Sequence, residues 1–155
     1  MHSFRSMKSR SVVALATAGL AGAGAVLATA VPASADDTGG KFGTVYSMTN
    51  GPCVAVIDSS VHGDAYPGMA AFTVGGPLTG VGHCTLDITL NWRNVDTGET
   101  GSFTQTANGP GYWGNSGYSA LFSPGYGNFV GTVTVGGAHL PEPGEVHFSN
   151  HPYQG

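Results

Sequence analysis

Apolar and polar side chains alternate along residues 84–93, and this run constrains the fold more than any other feature. The apolar positions are Cys84, Leu86, Ile88, Leu90 and Trp92. A period of two indicates a β-strand with one face in a core and the other in water. Residues 96–98 then fit a tight turn, with Gly98 free to adopt a positive φ. We therefore predict a hairpin with 101–106 as the return strand and Phe103 facing inward.

Shorter β-rich runs bounded by Gly, Pro, Asn or Asp occur elsewhere. They are 44–48, 53–57, 70–74, 118–122, 128–135 and 145–149. Only three of the 26 glycines precede residue 36, and each interior glycine costs a helix about 1 kcal/mol relative to alanine. No apolar stripe with helical spacing appears. The sequence therefore predicts an all-β fold, an immunoglobulin-like or jelly-roll-like antiparallel β-sandwich of about seven or eight strands.

The first residues have the pattern of an export signal. Three basic residues in 1–10 precede the apolar stretch 11–30, and Ala33-Ser34-Ala35 supplies a signal peptidase site. The apolar stretch is near the spanning length of about 20 residues, so a retained anchor is the alternative, but its alanines and glycines make it weakly hydrophobic. We predict a cleaved signal peptide (1–35) and a single sandwich domain (36–155). The product is expected to be secreted and extracellular, or associated with the cell envelope.

Cys53 and Cys84 are the only cysteines. In an exported chain an isolated pair favours a disulfide, whereas a redox or metal-binding pair would usually show a CxxC spacing. The separation of 31 residues is shorter than is usual in immunoglobulin domains, which argues against a true immunoglobulin domain.

The charge balance excludes two classes of partner. After residue 35 the chain has only Lys41 and Arg93 as basic residues, against nine acidic residues. Such a chain cannot neutralise a run of phosphates, so nucleic acids and anionic membrane surfaces are excluded as partners. Insertion as an oligomeric pore is disfavoured because neither face of 99–106 would tolerate lipid. Arg93 is a rare positive point on an acidic surface.

The chain shares a sequence pattern with a group of exported proteins. Residues 92–102, followed by 131–135 and 139–141, resemble a pattern in small secreted actinobacterial β-sandwich proteins of unassigned function. The resemblance would cover most of 36–155, and it carries no catalytic residues to transfer.

Candidate catalytic and metal motifs are incomplete. The sequence at 114–117 is similar to the nucleophile loop of chymotrypsin-like proteases, with Ser116 as nucleophile and His83 as base. Those proteases place the triad between two barrels, whereas only 33 residues separate His83 from Ser116 here and the sequence indicates no second barrel. His147 and His151 would lie about 13 Å apart on an extended strand, too far for one metal ion. We therefore expect no enzyme activity, no metal site and no cofactor.

Residues 107–118 place Tyr112 and Trp113 among Gly, Asn and Pro, in a segment that we predict to be irregular. Exposed aromatic residues there could stack on sugars or anchor a protein, although Trp113 could instead cover an open end of the sandwich. The candidate binding residues are Tyr112, Trp113, Tyr126 and Arg93. The expected function is a non-enzymatic module whose Gly- and aromatic-rich loops bind an extracellular or envelope protein or glycan. The alternatives are a carbohydrate-binding module and a small secreted inhibitor of a protease or hydrolase.

Overall fold

A computed structural model describes residues 38–154. The predicted signal peptide, 1–35, lies outside the described residues. The described chain forms eleven strands and a short 3-10 helix, Gly117–Ala120. The strands are β1 Gly39–Lys41, β2 Val45–Met48, β3 Cys53–Tyr66, β4 Met69–Gly80, β5 Cys84–Asn94, β6 Thr100–Gly109, β7 Gly111–Gly114, β8 Leu121–Phe122, β9 Gly127–Val135, β10 His139–Leu140 and β11 Glu145–Asn150.

The strands form two antiparallel sheets, which confirms the predicted β-sandwich. Sheet A has seven strands, with β10-β2-β3-β4-β7 in order, β1 beside the second half of β3 and β8 beside the first half of β4. Sheet B has four strands in the order β11-β9-β5-β6. The strand number exceeds the predicted seven or eight because short edge strands complete sheet A.

The predicted hairpin is present as β5 and β6, paired from Cys84 opposite Gly109 to Arg93 opposite Thr100. Its turn is held by the buried side chain of Asn94, whose Oδ1 accepts hydrogen bonds from the backbone N–H groups of Asp96 (2.9 Å) and Thr97 (3.1 Å). Gly98 has a φ of +80°, which a glycine adopts without strain.

Strands β3 and β4 continue well past the predicted limits of residues 57 and 74. The glycines that follow those limits lie within the strands. A Cβ atom at Gly63 would overlap the carbonyl oxygen of Ser149, and one at Gly76 would overlap that of Val56. These glycines therefore allow a close approach of two backbones rather than a turn.

Two other segments differ from the sequence prediction. Residues 107–118, expected to be irregular, include the end of β6 and all of β7. The predicted strand 118–122 begins within the 3-10 helix, and only β8 is extended. The end of β6 pairs with β5, whereas β7 and β8 both pair with the edge of β4. Tertiary pairing, which local composition does not report, decides these conformations.

Cys53 and Cys84 form the predicted disulfide, with Cα atoms 6.0 Å apart. Because β3 belongs to sheet A and β5 to sheet B, the bond joins the two sheets. It lies at the edge of a core that is built from both sheets. The largest fully buried apolar side chains are Phe72, Phe129, Phe148, Ile57, Leu78, Ile88, Leu90 and Val61. A buried disulfide is typical of proteins that fold outside the cytosol. Within 38–154, no helix has the length and hydropathy required to cross a membrane.

Candidate functional site

The four predicted binding residues lie in different parts of the sandwich. Tyr112 and Trp113 are neighbours on β7, so their side chains point to opposite sides of sheet A. Tyr112 is 79% exposed, whereas Trp113 is partly buried and packs against the core. Tyr126 lies in the loop before β9, and Arg93 is exposed at the end of β5 in sheet B. The four residues therefore do not form one binding surface.

A row of apolar side chains crosses the outer face of sheet A, where an antiparallel sheet usually presents polar residues to water. Strand pairing places Leu140 opposite Tyr46, Tyr46 opposite Val56, and Pro77 opposite Tyr112. The register of β3 with β4 brings Val56 opposite Pro77. These five residues, from β10, β2, β3, β4 and β7, are called the apolar row below.

The apolar row is open to solvent. Tyr112 is 79% exposed, Leu140 72% and Tyr46 58%. Met48 and Val54, which pair with each other on the same face, are 54% and 52% exposed. With strands about 4.8 Å apart and same-face residues about 7 Å apart, the apolar row together with Met48 and Val54 covers roughly 240 Å². Monomeric proteins rarely expose contiguous apolar patches larger than a few hundred Å², and the largest patch on the surface is often functional.

The outer face of sheet B shows the usual polar pattern instead. Thr89 lies between Thr104 and Thr134, and the Thr89 and Thr104 hydroxyls are 2.8 Å apart. Thr106 Oγ1 donates a hydrogen bond to Asp87 Oδ1 at 2.6 Å on the same face. The polar side chains on this face thus hydrogen-bond to one another. Sheet A is therefore the stronger candidate for binding an apolar partner surface.

A polar groove of about 470 Å³ adjoins the apolar row at Tyr112. Its polar side chains include Lys41, Asp58, Ser60, Thr73, Asn115 and Ser116. Thr44 Oγ1 donates a hydrogen bond to Asp58 Oδ1 at 2.6 Å. A Cβ atom at Gly75 would lie 3.1 Å from Tyr112 Oη, so this glycine leaves room for the tyrosine to lean across β4. The apolar row therefore ends against hydroxyl and charged groups.

Asn115 fixes the segment that carries Tyr112, a role that sequence reasoning missed. Its Oδ1 accepts a hydrogen bond from the Val74 N–H (2.7 Å), and its Nδ2 donates one to the Phe72 carbonyl (2.9 Å). Its own N–H donates to the Val74 carbonyl at 3.1 Å. Along the edge of β4, these bonds take the place of strand pairing between the part that pairs with β8 and the part that pairs with β7. Residues 114–117, which resemble a protease nucleophile loop, are thus hydrogen-bonded to β4 through Asn115. Ser116 is the residue before the 3-10 helix.

A second aromatic surface, called the tyrosine end below, lies where β3 turns into β4. It consists of Tyr66, Tyr118, Tyr126 and Tyr153, which are 52%, 83%, 55% and 72% exposed. The rings of Tyr66 and Tyr118 meet edge to face with centroids 6.3 Å apart. The Tyr126 hydroxyl lies over Gly68, and Tyr66, Gly68 and Tyr153 line one groove of about 360 Å³. Of these tyrosines, only Tyr126 was singled out from the sequence.

Asp64 holds the C-terminal segment at the tyrosine end. Its carboxylate accepts hydrogen bonds from the His151 backbone N–H (2.6 Å) and lies 2.7 Å from His151 Nδ1. The fully buried Asn150 accepts from the Asp64 N–H at 3.0 Å and donates to the Gly125 carbonyl at 2.7 Å. Partial burial alone would raise the pKa of Asp64, but the His151 hydrogen bonds and charge lower this pKa below its usual value.

Within residues 38–154, no three His, Cys, Asp or Glu side chains lie close enough together to hold a metal ion. In comparisons with known proteins, no family model matches the chain, and no curated protein or solved structure matches it. The function is therefore inferred from the surfaces of the molecule.

Proposed function

We propose that the protein is a secreted, non-enzymatic interaction module that docks a protein partner on the apolar row, in the extracellular space or at the cell envelope. The exposure of the apolar row across five strands of sheet A carries this proposal. Keeping apolar surface in water costs about 25 cal/mol per Å² relative to burying it, so docking would recover this free energy. The inter-sheet disulfide supports an extracellular location.

The chemistry of the apolar row favours a protein over a sugar. Leu140 in the row, and Met48 and Val54 beside it, are apolar and not aromatic, and such side chains pack well in the apolar centre of a protein interface. Sugar rings instead require flat aromatic faces flanked by hydrogen-bonding groups. The groove beside Tyr112, with Lys41 and Asp58, would form part of a polar rim around this centre.

Charge indicates which kind of protein would bind. The apolar row itself has no charged residue, while the chain beyond residue 35 carries nine acidic residues against Lys41 and Arg93. A partner with an apolar centre and a basic or neutral rim would complement this surface. A second copy would instead bring together two chains of net negative charge, which electrostatic repulsion opposes.

Site-specific photo-crosslinking tests this proposal. The aromatic crosslinker p-benzoylphenylalanine at position 112 should give a discrete product with an envelope or secreted protein of the source organism. The same crosslinker at position 89, on the outer face of sheet B, should not give that product. Tyr46→Asp should abolish the product because it places a charge within the apolar row, whereas Thr134→Asp on sheet B should leave the yield unchanged.

Three results would contradict the proposal. One is a product whose yield does not respond to Tyr46→Asp, because the contact would then not involve the apolar row. Another is a product of twice the mass of the chain, which would identify a second copy as the occupant. The third is no product from position 112 in any envelope or culture fraction. Circular dichroism should first show that each variant keeps its β-sheet content.

A further inference from the structure

We propose that the tyrosine end is a second binding site, independent of the apolar row, and that its ligand is a neutral saccharide. Four tyrosines converge there from different parts of the chain: the end of β3, the 3-10 helix, the loop before β9 and the C-terminal segment. Each is at least half exposed. Aromatic rings with a polar tip combine an apolar face for the C–H groups of a sugar with a hydroxyl for its oxygens.

The polar groups in the groove match a polyol. Asp64 and Gln154 line it together with Tyr66 and Tyr153. Asp64 Oδ1 accepts a hydrogen bond from the His151 backbone N–H, and Oδ2 lies 2.7 Å from His151 Nδ1. Each carboxylate oxygen keeps a further lone pair, and the Asp64 side chain is 35% exposed. A sugar hydroxyl can donate to this carboxylate. The amide of Gln154 can both donate and accept, which suits a hydroxyl equally well.

The same acceptors argue against a proline-rich peptide, the other ligand that commonly binds to exposed tyrosines. Proline has no N–H group, so such a peptide offers mainly carbonyl acceptors. Its prolines offer no donor to the remaining lone pairs of the Asp64 carboxylate. His151 lies against the one carboxylate that lines the groove, and no lysine or arginine lines it, so the groove has no other basic side chain with which to select an anionic ligand. These features together favour a neutral saccharide.

The groove is held in shape before any ligand arrives. The hydrogen bonds of Asp64 fix the C-terminal segment that carries Tyr153, and the Asn150 bond to the Gly125 carbonyl fixes the loop that carries Tyr126. Gly68, with a φ of +73°, forms the turn over which the Tyr126 hydroxyl lies. A site of this kind loses little conformational freedom on binding.

Affinity electrophoresis of the purified protein tests the site, with gels containing soluble glucan, mannan, galactan or glycol chitin. We expect slower migration in at least one of these polysaccharides. Tyr118→Ala and Tyr153→Ala should each weaken that binding by about tenfold, because each removes one stacking face. Both side chains are mostly exposed, so the variants should fold. Tyr112→Ala, an equally exposed tyrosine on the apolar row, is the matched control and should bind like the unmodified protein.

Three outcomes would overturn the saccharide site. The folded protein could migrate normally in all four gels. Binding could be weakened equally by Tyr112→Ala, which would place the contact on the apolar row. A synthetic decaproline peptide could bind in a Tyr118-dependent way while the polysaccharides do not, which would make the ligand a peptide. The crosslinking at position 112 reads the apolar row separately, so failure at one site is distinguishable from failure at the other.

Discussion

Replacing Asn115 by alanine tests how the segment carrying Tyr112 is held against sheet A. The change removes two side-chain hydrogen bonds and leaves the Val74 N–H and the Phe72 carbonyl without these partners. Both belong to residues with almost no exposed surface. A net hydrogen bond contributes about 0.5–1.5 kcal/mol, and a buried group left unpaired costs about 1–3 kcal/mol. We expect Asn115→Ala to lower the free energy of unfolding by about 2–3 kcal/mol.

Urea unfolding followed by circular dichroism measures this change. Asn108→Ala is the matched control because the Asn108 side chain makes only an exposed hydrogen bond, to the Thr106 carbonyl. That variant should change stability by less than about 0.5 kcal/mol. Hydrogen exchange at the Val74 amide should accelerate in Asn115→Ala and not in the control. If Asn115→Ala proved as stable as the control, the role assigned to Asn115 as a substitute for a strand would be refuted.

Three further predictions concern the frame around the two surfaces. Replacing Cys53 and Cys84 together by alanine opens a loop with a sequence separation of 31 and should lower the free energy of unfolding by about 4 kcal/mol; a loss below about 1 kcal/mol in urea would contradict this. Because the pKa of Asp64 is lowered in the folded state, its stabilising contribution should be full above the unfolded pKa of about 3.9 and lost as pH falls through the folded value. In Asp64→Asn, the C-terminal segment should no longer lose this contribution as pH falls, which NMR chemical shifts of residues 151–154 recorded against pH would measure. Gly63→Ala should disrupt folding through overlap with a backbone carbonyl, whereas Gly136→Ala, which has only ordinary contacts, should not; equal thermal stability of the two variants would refute this reasoning.

Local patterns in the sequence predict the hairpin and the sandwich because they reflect local physics. Alternation along 84–93 predicts β5 and its buried face, and Gly98 predicts the turn. The disulfide follows from the count of two cysteines in a chain that is predicted to carry an export signal. The longer strands β3 and β4 were not predicted, because a glycine such as Gly63 can mark a turn or a close backbone approach. Only the position of Ser149 decides between them.

The two surfaces escaped sequence reasoning for a related reason. Tyr46, Val56 and Tyr112 are far apart in the sequence, and only the strand register places them in one row. One indication of the apolar row is visible in the sequence. Residues 45–48 and 53–57 have apolar side chains at both odd and even positions, and therefore on both faces of a strand. At the tyrosine end, Tyr66 and Tyr153 line one groove because Asp64 holds the C-terminal segment beside β3. Hydrogen bonds between side chains that are far apart in the sequence leave no periodic pattern in it, so they could not be predicted from the sequence.

Strand β3 also determines whether the two proposed ligands can bind at the same time. Val56 in the apolar row and Tyr66 at the tyrosine end are ten residues apart on this strand, which corresponds to roughly 30 Å. The two surfaces share no residue. A protein partner on sheet A should therefore not displace a saccharide. We expect the crosslinking yield at position 112 to be unchanged by a saturating concentration of the polysaccharide that slows migration. A yield that falls as polysaccharide is added would show that the two ligands compete, and the assignment of two separate sites would then be wrong.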